Sequence, residues 1–275
     1  MVVLTGATRG IGQAAAIELA KRGADLALVG RDSTRVDEVV DKARAAGQAG
    51  IAVSGQVADL AEMDEVRRLA AELETAYPRI DVLANNAGAK FDSKHTTTDG
   101  FEQTFALNHL APFLLTNLLI DRLTEANARV VTTSSDAHHR AELDLEDLMF
   151  EDGRFRAWRA YGNSKLCNIL FTRELARRLD GTGVTANSFH PGFVATRFGD
   201  QSGGLVAFGV RIAKRFALTP QQGAETLIYL ASSPEVQGVT GEYFVRCHRA
   251  TPTVAARDDE MARRLWEETA RIADR

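Results

Sequence analysis

Tyr161 and Lys165 stand four positions apart in Tyr161-Gly162-Asn163-Ser164-Lys165, a spacing that stacks both side chains on one face of a helix. An ammonium fixed beside a phenol favours the phenolate and lowers the phenol pKa from about 10, which prepares it for proton transfer near neutral pH. The bland alternative is a surface cation beside a half-buried ring. A second set, Thr5-Gly6-Ala7-Thr8-Arg9-Gly10-Ile11-Gly12, places three glycines where a tight turn would let backbone amides and a helix N-terminus approach a pyrophosphate. A Cβ would block that approach. Taken alone, its G-x3-G-x-G spacing also suits an ordinary structural turn; its place after a strand and before a helix favours phosphate.

The elements that must position these groups alternate along the chain. Short β-rich runs at 2–4, 26–29, 51–53, 82–84, 130–133, 185–189 and 243–245 are separated by helical periodicity at 10–22, 33–46, 60–75, 101–123, 157–179 and 220–230. Asp32 or Ser33 caps the second helix, and Pro112 should bend the fourth. This rhythm predicts an α/β fold, a doubly wound parallel sheet with helices on both faces, in a single domain over residues 1–275. Two excursions break it, at 136–156 and 196–219, the first a surface segment with a short helical turn. A charged amphipathic tail, 258–273, carries Met261 and Leu265 on one face.

Composition narrows the function. Apolar residues make up 45% and charged residues 25%, which excludes a disordered or collagen-like chain. A formal net charge of -4 lacks the basic footprint of a nucleic-acid binder. The two cysteines, Cys167 and Cys247, are too few for a disulfide framework and sit in no Cys/His cluster, so a reducing, cytoplasmic setting without a metal is expected. Cys167 reads as helix packing. The adjacent His138 and His139 cannot face one metal from a helix and read as surface loop. No leader and no run of about 18 apolar residues is seen, so no transmembrane segment is expected.

Further pieces join the two motifs: Asn85-Asn86-Ala87-Gly88 ending the fourth strand, Asn108 inside the next helix, Ser134-Ser135 ending the fifth strand, and Pro191-Gly192 with Thr196 after the sixth. Together, over nearly all of the chain, they resemble the short-chain dehydrogenase/reductase superfamily. The run from Ala160 to Ala176 and His190-Pro191-Gly192 are similar to its retinol-dehydrogenase branch, and the membrane anchor of the microsomal members is not expected here.

The resemblance implies a Rossmann-like fold and an NADP(H)-linked oxidoreductase that interconverts a carbonyl and an alcohol. Tyr161 would be the general acid or base, and Lys165 would hold the nicotinamide ribose and depress the Tyr161 pKa. Ser135 would hydrogen-bond the substrate oxygen and Asn108 would anchor a water in the proton relay. Gly6, Thr8, Arg9, Gly10, Ile11 and Gly12 would receive the pyrophosphate side. Asp59 and Leu60 would border the adenine, Asn86, Ala87 and Gly88 the adjacent ribose, and Pro191, Gly192 and Thr196 the nicotinamide side. At the tip of the second strand Gly30 stands where an NAD-preferring relative would carry an acid. Arg31 follows, and with Arg9 it would clamp the 2′-phosphate of NADP unless Asp32 draws it away.

Ser135 and Tyr161 are separated more widely than in the family's shorter members. The excess either shapes the pocket or covers a helix face used elsewhere for subunit contact, which leaves a homo-oligomer open. The two excursions should bring Met149, Phe150, Phe155, Trp158, Phe198, Leu205 and Phe208 to the pocket mouth, and the apolar stretch 204–218 reads as a lid, so an apolar small-molecule substrate is expected. Two other readings use part of this set. A non-catalytic dinucleotide sensor would keep the glycine loop without needing Asn108, Ser135, Tyr161 and Lys165 together, and reductases of conjugated double bonds space tyrosine and lysine more widely.

Overall fold

The first two strands are buried at every position and apolar except at the closing Thr5, as strands covered on both faces must be. In the computed structural model, which describes residues 1–151, 154–193 and 218–274, they lie inside an eight-stranded sheet. Its strands are β1 (Val2–Thr5), β2 (Leu26–Gly30), β3 (Val53–Val57), β4 (Val82–Asn85), β5 (Arg129–Thr133), β6 (Thr185–His190), β7 (Tyr243–Val245) and β8 (His248–Arg249). The order is β3-β2-β1-β4-β5-β6-β7-β8, parallel throughout except for the antiparallel β8. Alternate residues feed two cores. Val2 and Leu4 pack with α1 (Gly10–Lys21), α2 (Ser33–Ala46) and a later helix, Pro220–Ser232, whereas Val3 packs with α3 (Met63–Ala76) and the helices that follow it.

The chain winds outwards from β1 to β3 and then returns to β4 on the other side of β1. Neighbouring connections therefore diverge at the C-terminal ends of β1 and β4, the crevice where such sheets receive ligands.

The expected helix over 101–123 is a composite. It starts at α4 (Gln103–Phe105), where the buried Glu102 carboxylate accepts from the Thr104 and Phe105 amides. A π-helical turn, Ala106–Leu110, carries Asn108, then α5 (Ala111–Leu118) and α6 (Ile120–Ala126) follow with a break at Leu119. Pro112, which has no amide to donate, sits just after the wide turn. The third strand lies at 53–57 rather than 51–53, and α3 begins at Met63, whose amide is taken by Asp99 Oδ2 at 2.6 Å. β3 is an edge strand, and two arginines bond its outward carbonyls: Arg44 reaches Val53 O at 2.6 Å and Arg68 reaches Val57 O at 2.7 Å.

The excursion 136–156 is less superficial than expected. It opens with a 3-10 turn, Asp136–Arg140, in which His138 is buried, and continues to Met149 and Phe150, both in the core. α7 (Ala157–Arg178) holds it: Asn163 bonds both the amide and the carbonyl of Glu142. α8 is Pro220–Ser232, and the tail is α9 (Asp259–Ala273). α9 buries Leu265 and Ile272 against α7, and Trp266 stacks on Phe171 at 5.7 Å and meets Phe113 edge-on at 4.8 Å. No described helix is long and apolar enough to cross a membrane.

Candidate active site

Tyr161 and Lys165 share one face of α7, as their spacing predicts, with the lysine Nζ 5.6 Å from the centre of the phenol ring. Ser135 arrives from the end of β5. Its extended backbone (φ -165°) opens the 3-10 turn, and its Oγ accepts from the Ala137 amide at 3.2 Å and hydrogen-bonds Tyr161. Gly162 explains how this turn comes so near α7: a Cβ there would stand 2.9 Å from the Ala137 carbonyl oxygen. The third group, Asn108, donates from Nδ2 to Ala89 O and to Ser164 Oγ, both at 2.9 Å, and Ser164 Oγ donates to Tyr161 O at 2.8 Å. All four expected catalytic residues therefore converge at the C-terminal ends of β4 and β5.

Burial dominates the electrostatics. It pushes the Tyr161 phenol up, and the Ser135 hydrogen bond opposes it. The Lys165 ammonium is brought down to about 8 by the same cause. The expected depression of Tyr161 by Lys165 is not seen in the folded chain, where burial raises the phenol and Ser135 is the group that lowers it. Cys167 is buried with its thiol pushed up, which makes it packing rather than a nucleophile.

The glycine loop fits a pyrophosphate. α1 begins at an Arg9 cap that makes no side-chain hydrogen bond to the helix, and no acid occupies its first turn, so its amides remain for an anion. A Cβ on Gly12 would lie 2.1 Å from Gly6 O. One on Gly6, itself at φ +66°, would lie 2.8 Å from Ala87 Cα. Thr5 Oγ1 accepts from the Asn86 and Ala87 amides at 2.9 and 3.0 Å, which locks the loop after β4 to the loop after β1. Gly10, at φ +52°, and Ile11 open α1, and Gly88 stands where a Cβ would meet Asn108 Oδ1 at 3.1 Å and Lys165 Nζ at 3.2 Å.

At the tip of β2, Thr8 Cγ2 would be 2.4 Å from a Cβ on Gly30. Arg9 and Arg31 are both exposed, and neither forms an ion pair with a described residue. Asp32 does not compete for Arg31, because it caps α2 through the Arg35 amide (3.1 Å) and pairs with the Arg35 guanidinium (3.5 Å). Asp59 and the buried Leu60 follow β3, where the Ala58 amide bonds Gly30 O at 3.0 Å. Pro191 and Gly192 (φ +85°) follow β6. Thr196, Phe198, Leu205, Phe208 and most of the expected lid lie outside the described residues.

The pocket-mouth expectation changes. Met149 and Phe150 are core, Phe155 packs edge-on to Phe150, and Trp158, 64% exposed, stands 6.2 Å from the Tyr161 ring. Phe193, 62% exposed just after Gly192, belongs to no sequence motif.

Sequence reasoning also missed the polar groups behind the site. His138 Nδ1 donates to Ser135 O at 2.7 Å and its Nε2 faces the Thr253 amide at 3.4 Å, so it supports the serine from a buried place instead of lying in a surface loop. Its ring is 4.2 Å from that of His139, and with Asp136 the pair offers ligand atoms within 4.8 Å of one another; both nitrogens of His138 are already turned to backbone. Asp136 pairs with His190 Nε2 at 3.1 Å.

A short chain dehydrogenase family model matches residues 1–206. Human retinol dehydrogenase 13 is 39% identical, over 98% of this chain and 83% of that protein. A Streptomyces sp. (strain C5) protein described as "Putative daunorubicin C-13 ketoreductase DnrU" is 43% identical, over 98% of this chain and 91% of that one. Among solved structures, a short chain dehydrogenase from Burkholderia cenocepacia J2315 in complex with NADP superposes with a TM-score of 0.71, at 28% identity, covering 88% of this chain and 94% of the other.

Proposed function

Because the chain belongs to the short-chain dehydrogenase family, we propose that it is an NADP(H)-dependent oxidoreductase interconverting a ketone or aldehyde with an alcohol, on a bulky apolar substrate. The observation that carries the reading is the convergence of Ser135, Tyr161 and Lys165 beside the β1/β4 crevice. When bound, the dinucleotide supplies or takes up the hydride. The chain's own residues manage the proton and the charge. In reduction Tyr161 protonates the developing alkoxide, and in oxidation it accepts the hydroxyl proton. Ser135 steers the same oxygen through its hydroxyl. Lys165 stabilises the phenolate left after proton transfer and holds the nicotinamide ribose, while Asn108 anchors a water that returns the proton from solvent. Gly6, Thr8, Gly10, Ile11 and Gly12 hold the pyrophosphate, Asp59 and Leu60 the adenine, Asn86, Ala87 and Gly88 the ribose, and Pro191, Gly192 and Thr196 the nicotinamide side.

The relatives are named for retinol and for the C-13 ketone of daunorubicin, and exposed Trp158 and Phe193 suit bulky apolar ligands. A cytoplasmic setting accords with the two unpaired cysteines. The test is NADPH oxidation with a series of carbonyls graded by apolar size, where kcat/KM should rise with size. Tyr161→Phe keeps the ring and removes the proton, so turnover should fall at least ~10²-fold with NADPH affinity little changed. Turnover within a few-fold of wild type in that variant, or best activity on small charged sugars, would refute the assignment.

A further inference from the structure

Behind Lys165 a chain of buried polar groups leads to α9. The Thr133 carbonyl at the end of β5 accepts from Lys165 Nζ at 3.1 Å and from Asn168 Nδ2 at 3.0 Å. Asn168 Oδ1 faces His109 Nδ1 at 3.4 Å, and His109 Nε2 faces Thr269 Oγ1 at 3.0 Å. Lys165, Asn168, His109 and Thr269 are each at most 2% exposed. The acceptor-only carbonyl sets the direction of the whole chain. Asn168 must present Nδ2 to it and therefore Oδ1 to the histidine, so His109 carries its proton on Nδ1 and Nε2 accepts from the Thr269 hydroxyl. Phe105, Phe113 and Phe171 surround the imidazole and keep it neutral.

Lys165 has one hydrogen-bond acceptor among the described residues, that same carbonyl, so the direction of the carbonyl decides where the ammonium points. We infer that Asn168, oriented by His109 and through it by Thr269 of α9, is a positioning residue for Lys165, acting through the shared Thr133 carbonyl. This rests on the proposed role of Lys165. Tyr161 is the titratable group facing the lysine; Gly88, Asn108, Thr133 and Ser134, which approach from the other elements, are uncharged.

The test compares Asn168→Ala, His109→Phe and His109→Gln, the last keeping an amide donor towards Asn168. Without the pinned carbonyl the ammonium is less supported, and so is the phenolate beside it. In alcohol oxidation the rising limb of kcat against pH should therefore move up by about half a unit in Asn168→Ala and His109→Phe. In these two, kcat should fall roughly three- to ten-fold with KM held, and His109→Gln should recover most of the loss. Lysine-selective NMR titration, with the Lys165 signal assigned by Lys165→Arg, reads the ammonium without turnover and should show it deprotonating at lower pH in Asn168→Ala. An unmoved Lys165 titration overturns the inference whatever the activity. A wild type that oxidises no alcohol while its Lys165 titration moves on Asn168→Ala overturns the proposed reaction instead.

Discussion

Removing the Arg31 guanidinium tests the cofactor assignment at the point where the structure is most specific. Arg9 and Arg31 flank the tip of β2 without partners among the described residues, whereas Asp32 is spent on the α2 cap and on Arg35. A charge-assisted hydrogen bond from either guanidinium to a 2′-phosphate contributes about 1.5–3 kcal/mol, so Arg31→Ala should weaken NADPH roughly ten- to a hundred-fold. NADH, which has no phosphate there, should change less than about two-fold on the same reasoning. Arg9→Ala should act likewise, and a double-mutant cycle should show coupling if both arginines grip one phosphate. The usual conversion to an NAD preference, an acid at the strand tip, should fail at Gly30. A Cβ there stands 2.4 Å from Thr8 Cγ2 and 3.0 Å from Val36 Cγ2, so Gly30→Asp should weaken both dinucleotides by displacing the glycine loop. Calorimetric titration of each variant with each cofactor is the assay. Equal wild-type affinity for NADPH and NADH, or an Arg31→Ala variant that weakens both alike, would refute the reasoning.

Gly12→Ala should abolish dinucleotide binding in a protein that still folds by circular dichroism, because the new Cβ lies 2.1 Å from Gly6 O; retained NADPH fluorescence enhancement would contradict this. Phe171→Ala should cost about 3–5 kcal/mol in urea unfolding, since it removes a ring packed between His109, Phe113 and Trp266. Burial holds His109 down at about 4, whereas in the unfolded chain it titrates near 6.5, so between those values the unfolded state binds the extra proton. Stability should therefore fall as pH drops through that window, by up to about 1.4 kcal/mol per unit from this residue. His138 and His190 are depressed by burial too and add to the slope, so His109→Phe should reduce it without abolishing it, as denaturant melts at pH 5 and 7.5 would show.

The parts of the site that the sequence made legible are those carried by short, contiguous motifs on strong elements. The loop from Thr5 to Gly12 lies between the apolar run 2–4 and a helix, and the Tyr161/Lys165 pair needs only the period of α7. What escaped depends on partners far apart in the chain. His109, Asn168 and Thr269 meet only after the π-helical turn, α7 and α9 have packed, and His138 reads as a solvated polar residue until β5, β7 and the segment at Thr253 close around it. The wide turn at Asn108 left no mark either, because Ala106, Leu107 and Leu110 suit an ordinary α-helix equally well; Pro112 hinted at a bend without saying where it would fall. In the sequence Met149 and Phe150 read as pocket lining, since apolar residues in an irregular segment have no period to tell them from core.

The open flank of the sheet has a bearing on how the protein behaves at high concentration. Parallel sheets end in a strand whose outward amides and carbonyls can template another chain, and β3 is such a strand, with Val57 42% exposed. Arg44 and Arg68 occupy two of its outward carbonyls, and Arg68 is itself held in place by Glu65 and Glu72, each at 2.6 Å. An incoming strand would have to displace both guanidinium groups, and break the two glutamate pairs of Arg68, before pairing. The two arginines thus act as gatekeepers against sheet-to-sheet aggregation.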